Sequence, residues 1–229
     1  GLSFPAVFAG FARAYFERFG DKTEALAMIA AKNHKNAMAN PLAQLHKELS
    51  VGFCARESER NPMIAAPLKM SDCSLVSDGA AAQVSVFLPM SRRDLTAFEG
   101  PAEAFRRACL AAGVTLNDID VAEVHDCFTI AELMIYEAMG LAPAGRGEDV
   151  LRNGTVLPSG SLPVNLSGGL KAKGHPVGAT GVSMHALVAR QVTGAADEMQ
   201  KPGANLGLVF NMGGSGVANY CSILEGERG

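Results

Sequence analysis

The sequence predicts an α/β protein with a mixed sheet, helices on the sheet faces and loops at the strand ends. Hydrophobic residues make up 48% of the 229 positions and charged residues 19%, so the chain can bury a large core. From about residue 83 onward, strand-like and helix-like segments alternate. Glycine-rich stretches follow apolar runs or precede helices, and α/β proteins place their sites at such points.

Composition excludes several classes of protein. The 20 Lys and Arg residues are balanced by 23 Asp and Glu residues, and aromatic residues are only 6%, so nucleic acid is not an expected partner. The sequence has no run of apolar residues long enough for a membrane span and no secretory signal, so no membrane partner is expected. Five cysteines without a C-x-x-C pair predict free thiols and a cytoplasmic location.

The first predicted element is an apolar helix. Ser3 is placed as its N-cap, Pro5 lies in its first turn and Gly20 ends it. Between these residues, aromatic side chains recur every three or four positions. Such an apolar stripe indicates a helix that packs against other elements rather than a lone surface helix.

A second helix is predicted from a cap at Asp21 or Thr23 to Met38, because the following Asn-Pro step cannot continue a helix. Residues 41–72 are polar, contain two further prolines and show no clean period. They predict an irregular segment with at most a short helix.

The remaining elements are predicted from local signals. Small residues at 77–82 lead into a β-rich run, and Thr129 with Glu132 forms a possible capping box. Glycines end the two helices that precede Gly113 and Gly140. The predicted strands are 83–88, 119–124, 206–210 and 217–224, with a glycine turn at 211–216; the predicted helices are 101–112, 129–139 and 182–191.

The first candidate site is the segment HDCF at residues 125–128. His125 and Cys127 are two positions apart, so they point to the same side if the strand continues that far. An imidazole and a thiol in one cavity suit acyl transfer, because both exchange protons near neutral pH. The alternative is a packed cysteine beside a half-exposed histidine, since a two-residue motif is weak evidence.

The second candidate is the segment GHPVGATG at residues 174–181, immediately before a helix. Its glycines allow the backbone to approach a ligand, and Pro176 restricts the chain after His175 and so directs the imidazole. Lys171 and Lys173 leave open an anion-binding turn at the start of the helix. The spacing matches neither a Walker loop nor a dinucleotide fingerprint.

The third candidate is the glycine turn that contains Gly213. Its backbone N–H groups could serve as oxyanion donors, although a tight hairpin explains the same pattern. His34 and His46 have no carboxylate or thiol at ligand spacing, so no metal site is expected. Without a metal or dinucleotide, a cavity of histidine, cysteine and backbone amides favours group transfer over redox chemistry.

Four segments together resemble one family. They are VHDCFT at 124–129, NLSGGLKAKGHPVGATG at 165–181, SDGAA at 77–81 and the closing glycine pair at 213–214. The chain resembles, from end to end, the later part of a thiolase of the branch that includes sterol-carrier-protein thiolases and related acetyl-CoA acetyltransferases. The long stretch around the GHP core is the most specific of the four.

The resemblance implies the thiolase fold, a mixed five-stranded sheet with helices on both faces. It places residues 1–72 in part of the loop domain, residues 73–99 at the end of the N-terminal thiolase half and residues 100–229 in the C-terminal thiolase domain. It also implies that the nucleophilic cysteine belongs to an N-terminal portion that this sequence does not contain, because none of the five cysteines matches it.

The resemblance also assigns site residues. His175 matches the histidine that accepts the nucleophile's proton, and His125 matches the residue that holds a water near the thioester oxygen. Asn211 occupies the position of the family's usual second cysteine, and Cys127 resembles the thiol that replaces it in this branch. The neighbouring imidazole is expected to lower the pKa of Cys127. Gly213 matches a backbone oxyanion donor. The positions that contact the pantetheine arm of CoA are Ser74, Val76 and Phe128.

The implied reaction interconverts 3-ketoacyl-CoA plus CoA with acetyl-CoA plus a shortened acyl-CoA, in lipid and fatty acid metabolism. CoA and acyl-CoA are substrates, and no covalently bound cofactor is implied. The implied protein partners are a second copy or three further copies of the chain, the N-terminal thiolase portion and a small OB-fold protein. Two alternatives stay open: a CoA-ester aldolase, whose relatives carry Tyr at the position of His125, and a non-catalytic acyl-CoA-binding scaffold.

Overall fold

Residues 3–74, 76–77 and 94–226 are described by a computed structural model, which gives residues 76–77 as backbone only. Within these residues helices and short strands are mixed, as the sequence predicts. The predicted strand at 83–88 and the SDGAA segment lie outside the described residues, apart from the backbone of residue 77. The helices are α1 (Phe4–Phe19), α2 (Thr23–Ala37), α3 (Val51–Ala55), α4 (Glu99–Ala112), α5 (Thr129–Ala138), α6 (Asp149–Arg152), α7 (Gly169–Lys173) and α8 (Thr180–Val192). The strands are β1 (Met63–Ala65), β2 (Leu68–Lys69), β3 (Val76–Ser77), β4 (Val121–Val124), β5 (His175–Pro176), β6 (Leu206–Gly213) and β7 (Ala218–Glu225).

The two N-terminal helices follow their sequence signals closely. Helix α1 has Ser3 as its N-cap residue, a proline in its first turn and Gly20 at its C-terminal end, as predicted. Helix α2 begins one residue after Lys22, so the predicted cap at Asp21 or Thr23 is wrong. Asp21 instead accepts hydrogen bonds from the backbone N–H and the hydroxyl of Thr23, which stabilise the turn before the helix.

The segment predicted to be irregular contains more structure than expected. Besides the short helix α3, it has an antiparallel pair of strands, β1 and β2, and a single 3-10 turn at Met70–Asp72. These strands are two and three residues long. Strands that short have too few positions to show the alternation that identifies a strand in a sequence.

The mixed sheet has β6 at its centre in the described part of the chain. Strand β4 pairs with β6 in parallel, and β7 pairs with β6 antiparallel. Helix α8 packs on β4 and β6, and helix α4 packs on β7. The parallel pair of β3 and β5 and the antiparallel pair of β1 and β2 form two smaller sheets. Helix α4 ends at Gly113 with a φ of 69°, as its C-terminal glycine predicts.

Two local predictions need correction. Helix α5 has Phe128 as its N-cap residue, and the predicted capping box is absent. The hydroxyl of Thr129 donates to Asp72, while Glu132 is buried beside Lys32, so tertiary partners replace the local ones. The β6–β7 pairing extends through Gly213, so residues 211–213 belong to a strand and only the following residues form the turn.

The core lies between the sheet and the helices packed on it. Residues 129–136 of α5 are all buried, because the helix is covered by α1, α2 and α4. Among residues 3–74 and 94–226, no helix combines the length and the apolar character that a membrane span requires.

Candidate active site

A cavity of about 420 Å³ opens where the ends of several elements meet. Strands β4 and β6 run in parallel with Val124 opposite Phe210, so His125, which follows β4, and Asn211 of β6 reach the same edge of the sheet. Strand β5 adds His175 from the neighbouring small sheet. The cavity is lined by six of the residues that the sequence singles out: Ser74, His125, Cys127, Phe128, His175 and Gly213.

The two histidines form the centre of the site. The rings of His125 and His175 pack edge to face, with centroids 5.2 Å apart. Both side chains belong to residues that are less than a tenth exposed, at 6% and 8%. They come from parts of the chain fifty residues apart, so the fold, not local sequence, brings them together.

Hydrogen bonds define the tautomer of His175. The hydroxyl of Thr180 donates its only proton to the carbonyl oxygen of Pro176, at 2.9 Å. The same hydroxyl lies 2.7 Å from Nδ1 of His175 and must therefore accept from it. His175 then carries its proton on Nδ1, and Nε2 is left with a lone pair that can accept a proton.

His125 is held in a similar way by Asn211. The Nδ1 atom of His125 lies 2.7 Å from Oδ1 of Asn211, an oxygen that can only accept. This contact assigns the proton of His125 to Nδ1 as well. The resemblance had left Asn211 only as the replacement for a cysteine, so this role was missed. The parallel register of β4 and β6 was the signal, but it became available only with the fold.

The environment keeps both imidazoles neutral. Burial, the ring of His175 and the charge of Lys173 together lower the pKa of His125 to about 3. Burial and the same lysine lower the pKa of His175 to about 4. A neutral imidazole with a free Nε2 is the form that a general base requires.

Cys127 lies in the cavity, but the prediction about its ionisation is wrong. Burial, followed by the nearby Asp126 carboxylate, raises the pKa of the Cys127 thiol well above its usual range. The neighbouring imidazole was expected to lower it, yet a neutral ring supplies no positive charge. The thiol is therefore held in its protonated form, which suits a proton donor better than a nucleophile.

The remaining predicted site residues are distributed around the cavity. Ser74 and Phe128 lie on its wall, where the backbone N–H of Ser74 donates to the carbonyl of Cys127. Val76 pairs through its backbone with His175, and its side chain lies outside the described residues. Gly213 is the last residue of β6 and lines the cavity beside the turn.

The lysines near the GHP segment bind groups of the protein itself. Lys171 is buried and its Nζ donates to the carbonyl of Cys73 at 2.5 Å. The Nζ of Lys173 donates to the hydroxyl of Ser183 at 3.1 Å. Their positions argue against the alternative of an anion-binding turn. In residues 3–74 and 94–226 there is no cluster of three metal-ligating side chains.

An aromatic wall of the cavity was not predicted as part of a site. Phe4 and Phe8 of α1 line the cavity, and the ring of Phe8 stacks on that of Phe128 with centroids 4.6 Å apart. Phe4 is 49% exposed, unlike a core residue. The aromatic stripe of α1 was interpreted only as a face packed against other elements, because periodicity identifies an apolar face but not what the face contacts.

Comparisons with known proteins identify relatives of the chain. An acetyl-CoA acetyltransferase from Methanothermobacter thermautotrophicus is 37% identical over 240 residues, which cover 94% of this chain and 62% of the relative. Sterol carrier protein 2 from Oryctolagus cuniculus is 35% identical, with 93% of this chain and 44% of the relative covered. The chain thus spans about half to two thirds of the length of these relatives.

A solved structure described as "Ltp2-ChsH2(DUF35) aldolase" superposes with a TM-score of 0.86 at 25% identity. The superposition covers 100% of this chain and 65% of that one. Residues 81–226 match the family described as "Thiolase C-terminal domain-like". The chain therefore belongs to the thiolase C-terminal domain-like family.

Proposed function

We propose that this chain supplies the histidine-bearing part of a thiolase active site. The reaction interconverts 3-ketoacyl-CoA plus CoA with acetyl-CoA plus a shortened acyl-CoA. One observation carries the proposal: His125 and His175 face each other in one cavity, each held through Nδ1. The nucleophilic cysteine would come from a thiolase portion outside this sequence.

In the cleavage direction, the Nε2 of His175 would take the proton of that external thiol. The resulting thiolate attacks the 3-keto carbon, and the C–C bond to the α-carbon breaks. The electron pair leaves on the acetyl-CoA enolate, which takes a proton from Cys127. CoA would then give its thiol proton to the Cys127 thiolate and attack the acyl group, and the nucleophile would leave with the proton held by His175. The imidazolium of His175 and a water held by His125 would polarise the thioester oxygens, with Gly213 as a backbone donor.

The apolar wall of the cavity supports a CoA thioester as the proposed substrate. Ser74 and Phe128 would contact the pantetheine arm together with Val76, and Phe4 and Phe8 add apolar surface for an acyl group. No covalently bound cofactor is needed for this chemistry.

The proposed protein partners are further copies of the chain, in a dimer or tetramer, and the nucleophile-bearing portion. A small partner protein is also proposed, supported by the DUF35 component named in the aldolase structure.

An aldolase acting on CoA esters is the second candidate. The overlap with the "Ltp2-ChsH2(DUF35) aldolase" favours it. Against it stand His125 and Cys127, because retro-aldol cleavage requires no second acid/base thiol, and the resemblance implies Tyr in aldolases at the position of His125. The two candidates differ in their products: thiolysis of acetoacetyl-CoA consumes free CoA, whereas a retro-aldol cleavage of a β-hydroxyacyl-CoA does not.

The test replaces His175 in the complete enzyme, meaning this chain together with the nucleophile-bearing portion. His175→Ala should lower kcat for acetoacetyl-CoA thiolysis by at least about 100-fold, because one ring supplies both the base and an oxyanion donor. KM should change less. The chain without the nucleophile should show no turnover.

The matched control is His185→Ala. His185 lies on α8 and bonds the carbonyl of Gly181 and the hydroxyl of Ser222 outside the cavity. Its replacement should leave kcat close to that of the wild type. A near-normal kcat in His175→Ala, or CoA-independent cleavage of a β-hydroxyacyl-CoA by the wild type, would refute the thiolase proposal.

A further inference from the structure

Asp126 lies between two cavity residues but does not line the cavity itself. His125 and Cys127 face the cavity on either side of it, while the Asp126 side chain is directed into the protein and is fully buried. A buried carboxylate requires hydrogen-bond donors, and those that it binds connect two parts of the site.

The donors come from helix α7. The Oδ1 atom of Asp126 accepts from the backbone N–H of Leu170 at 2.6 Å, and Oδ2 accepts from that of Lys171 at 3.1 Å. Helix α7 ends at Lys173, and only Gly174 separates it from His175. The carboxylate beside His125 thus holds the short helix that leads directly into His175.

The Asp126 carboxylate lies so close to the backbone of residue 169 that only glycine can occupy this position. A Cβ on Gly169 would lie 2.3 Å from Oδ2 of Asp126, and the φ of Gly169 is +60°. Any side chain at this position would push the carboxylate away from α7 as well as strain the backbone. The glycine therefore permits the approach of Asp126 to the helix.

A third donor comes from the N-terminal helices. The Nδ2 atom of Asn33 on α2 donates to Asp126 at 2.8 Å and to Glu132 on α5 at 2.6 Å. Asn33 is completely buried, and its Oδ1 has no hydrogen-bond partner within the described residues. The side-chain amide of Asn33 therefore joins the two carboxylates.

We infer that Asp126 is a positioning residue that sets the relative placement of His125 and His175. One carboxylate fixes the segment of the first histidine against the helix that delivers the second, and Asn33 holds that carboxylate in place. Removing one of its two acceptor oxygens should let α7 move relative to residues 125–127 and open the edge-to-face packing of the two rings. The catalytic consequence rests on the proposed function, while the geometric one does not.

The geometric test uses Asp126→Asn and NMR of the side-chain nitrogens. The chain has five histidines, so each imidazole can be assigned by single replacements. An amide keeps the shape of the acid but offers one acceptor oxygen instead of two, so it cannot serve Asn33, Leu170 and Lys171 together. The ring resonances of His125 and His175 should shift, whereas that of His185, which bonds Gly181 and Ser222, should not.

The matched control is Glu137→Gln. The Glu137 carboxylate also accepts from a backbone N–H, that of Gly147, and from the Tyr15 hydroxyl, but it lies away from the cavity. The Glu137→Gln variant should alter the stability of the protein without moving the ring of His125 or His175. Asn33→Ala, which removes one of the three donors to Asp126, should give a smaller shift in the same two rings and serves if Asp126→Asn does not fold.

The catalytic test uses the complete enzyme. Asp126→Asn should lower kcat by about 10- to 100-fold with little change in KM, because misplaced histidines affect the reacting atoms more than substrate binding. Unmoved ring resonances in both Asp126→Asn and Asn33→Ala, or equal shifts in Glu137→Gln, would overturn the inference. If the rings shift in an enzyme without thiolase activity, the positioning role stands and the proposed function fails.

Discussion

The cavity and the polar layer behind it are built on the same short segment but are organised in opposite ways. The polar layer consists of five buried residues, Lys32, Asn33, Asp126, Glu132 and Asn165. Its carboxylates each accept several hydrogen bonds. In the cavity, by contrast, each histidine is held through one nitrogen only, within the described part of the chain.

This difference makes the polar layer rigid and leaves the cavity histidines reactive. Saturated carboxylates fix backbone positions but have no capacity left for a ligand. Histidines held at Nδ1 keep a defined orientation while Nε2 can exchange a proton. The charges follow the same division, since burial lowers the pKa of the cavity histidines, whereas burial and the Glu132 carboxylate raise the pKa of Asp126 to about 7.

The largest expected effect comes from the polar layer. Lys32 donates to Glu132, and both side chains are almost completely buried. Lys32→Met should lower the free energy of unfolding by about 3–5 kcal/mol, because it leaves a buried carboxylate without its cation. Urea unfolding measures this loss.

Two controls sharpen this prediction. Arg107→Met, at an ion pair whose arginine is 74% exposed, should cost less than about 1 kcal/mol. The double variant Lys32→Met/Glu132→Gln should recover part of the loss, since neither charge then remains buried and an acceptor oxygen is kept for Asn33 or Asn165. A loss in Lys32→Met no greater than that in Arg107→Met would show that the layer does not support the fold.

The contrast between the two regions also explains what could be predicted from the sequence. Helix α1 and the end of α4 depend on local signals such as Pro5, Gly20 and Gly113, and these were predicted correctly. The Lys32–Glu132 pair joins residues 100 positions apart, so no local pattern indicates it. Local rules even gave a wrong result for Glu132, which was expected to cap its own helix.

The site shows the same limit. His125, Cys127 and His175 were found because their short motifs resemble those of a family, and the fold places them in one cavity. Asn211, Thr180 and Asp126 were missed as partners because their roles depend on the parallel register of β4 and β6 or on the path of the loops. The predicted shift in the pKa of Cys127 was wrong in direction, because the identity of a neighbouring residue does not show how deeply the thiol is buried.

The second prediction concerns the acid/base role of Cys127 in the cavity. In the complete enzyme, Cys127→Ala should slow solvent exchange of the acetyl-CoA methyl protons by at least about 100-fold, because the group that donates a proton to the enolate in cleavage removes a methyl proton in the reverse step. Radiolabelled acetyl transfer to the separate nucleophile should continue. Cys221→Ala, on strand β7, is the matched control and should change neither property. Retained proton exchange in Cys127→Ala would contradict the assignment.

A third prediction uses pH to test whether His175 is held neutral. Its pKa falls from 6.5 in a free side chain to about 4 in the fold. Above pH 6.5 the group makes no difference to stability; as the pH falls below that value, the unfolded chain takes up the proton first and stability is lost. The penalty should reach about 2 kcal/mol near pH 5.

His175→Asn should remove this loss. Asp126 has a raised pKa and therefore an effect of opposite sign, with stability lost as pH rises towards 7, but it is present in both proteins. The difference in unfolding free energy between wild type and variant, measured near pH 5 and again near pH 7.5, therefore reports His175 together with its effect on the pKa of His125. An identical difference at both pH values would mean that the ring is protonated in the folded protein.

The smallest effect is expected from Thr180, whose hydroxyl bonds both a cavity histidine and the backbone. Thr180 accepts from His175 and donates to the carbonyl of Pro176, so it fixes the tautomer without touching the cavity. Thr180→Val keeps the shape but removes both hydrogen bonds, each worth about 1 kcal/mol, and should lower kcat of the complete enzyme by about 3- to 10-fold. Thr180→Ser keeps the hydroxyl and should retain most of the activity.

The NMR signals of His175 should show a single Nδ1–H tautomer in wild type and Thr180→Ser, and a mixture in Thr180→Val. Equal kcat values for the two variants would mean that the threonine serves only to pack α8, and that the tautomer is fixed by the cavity itself.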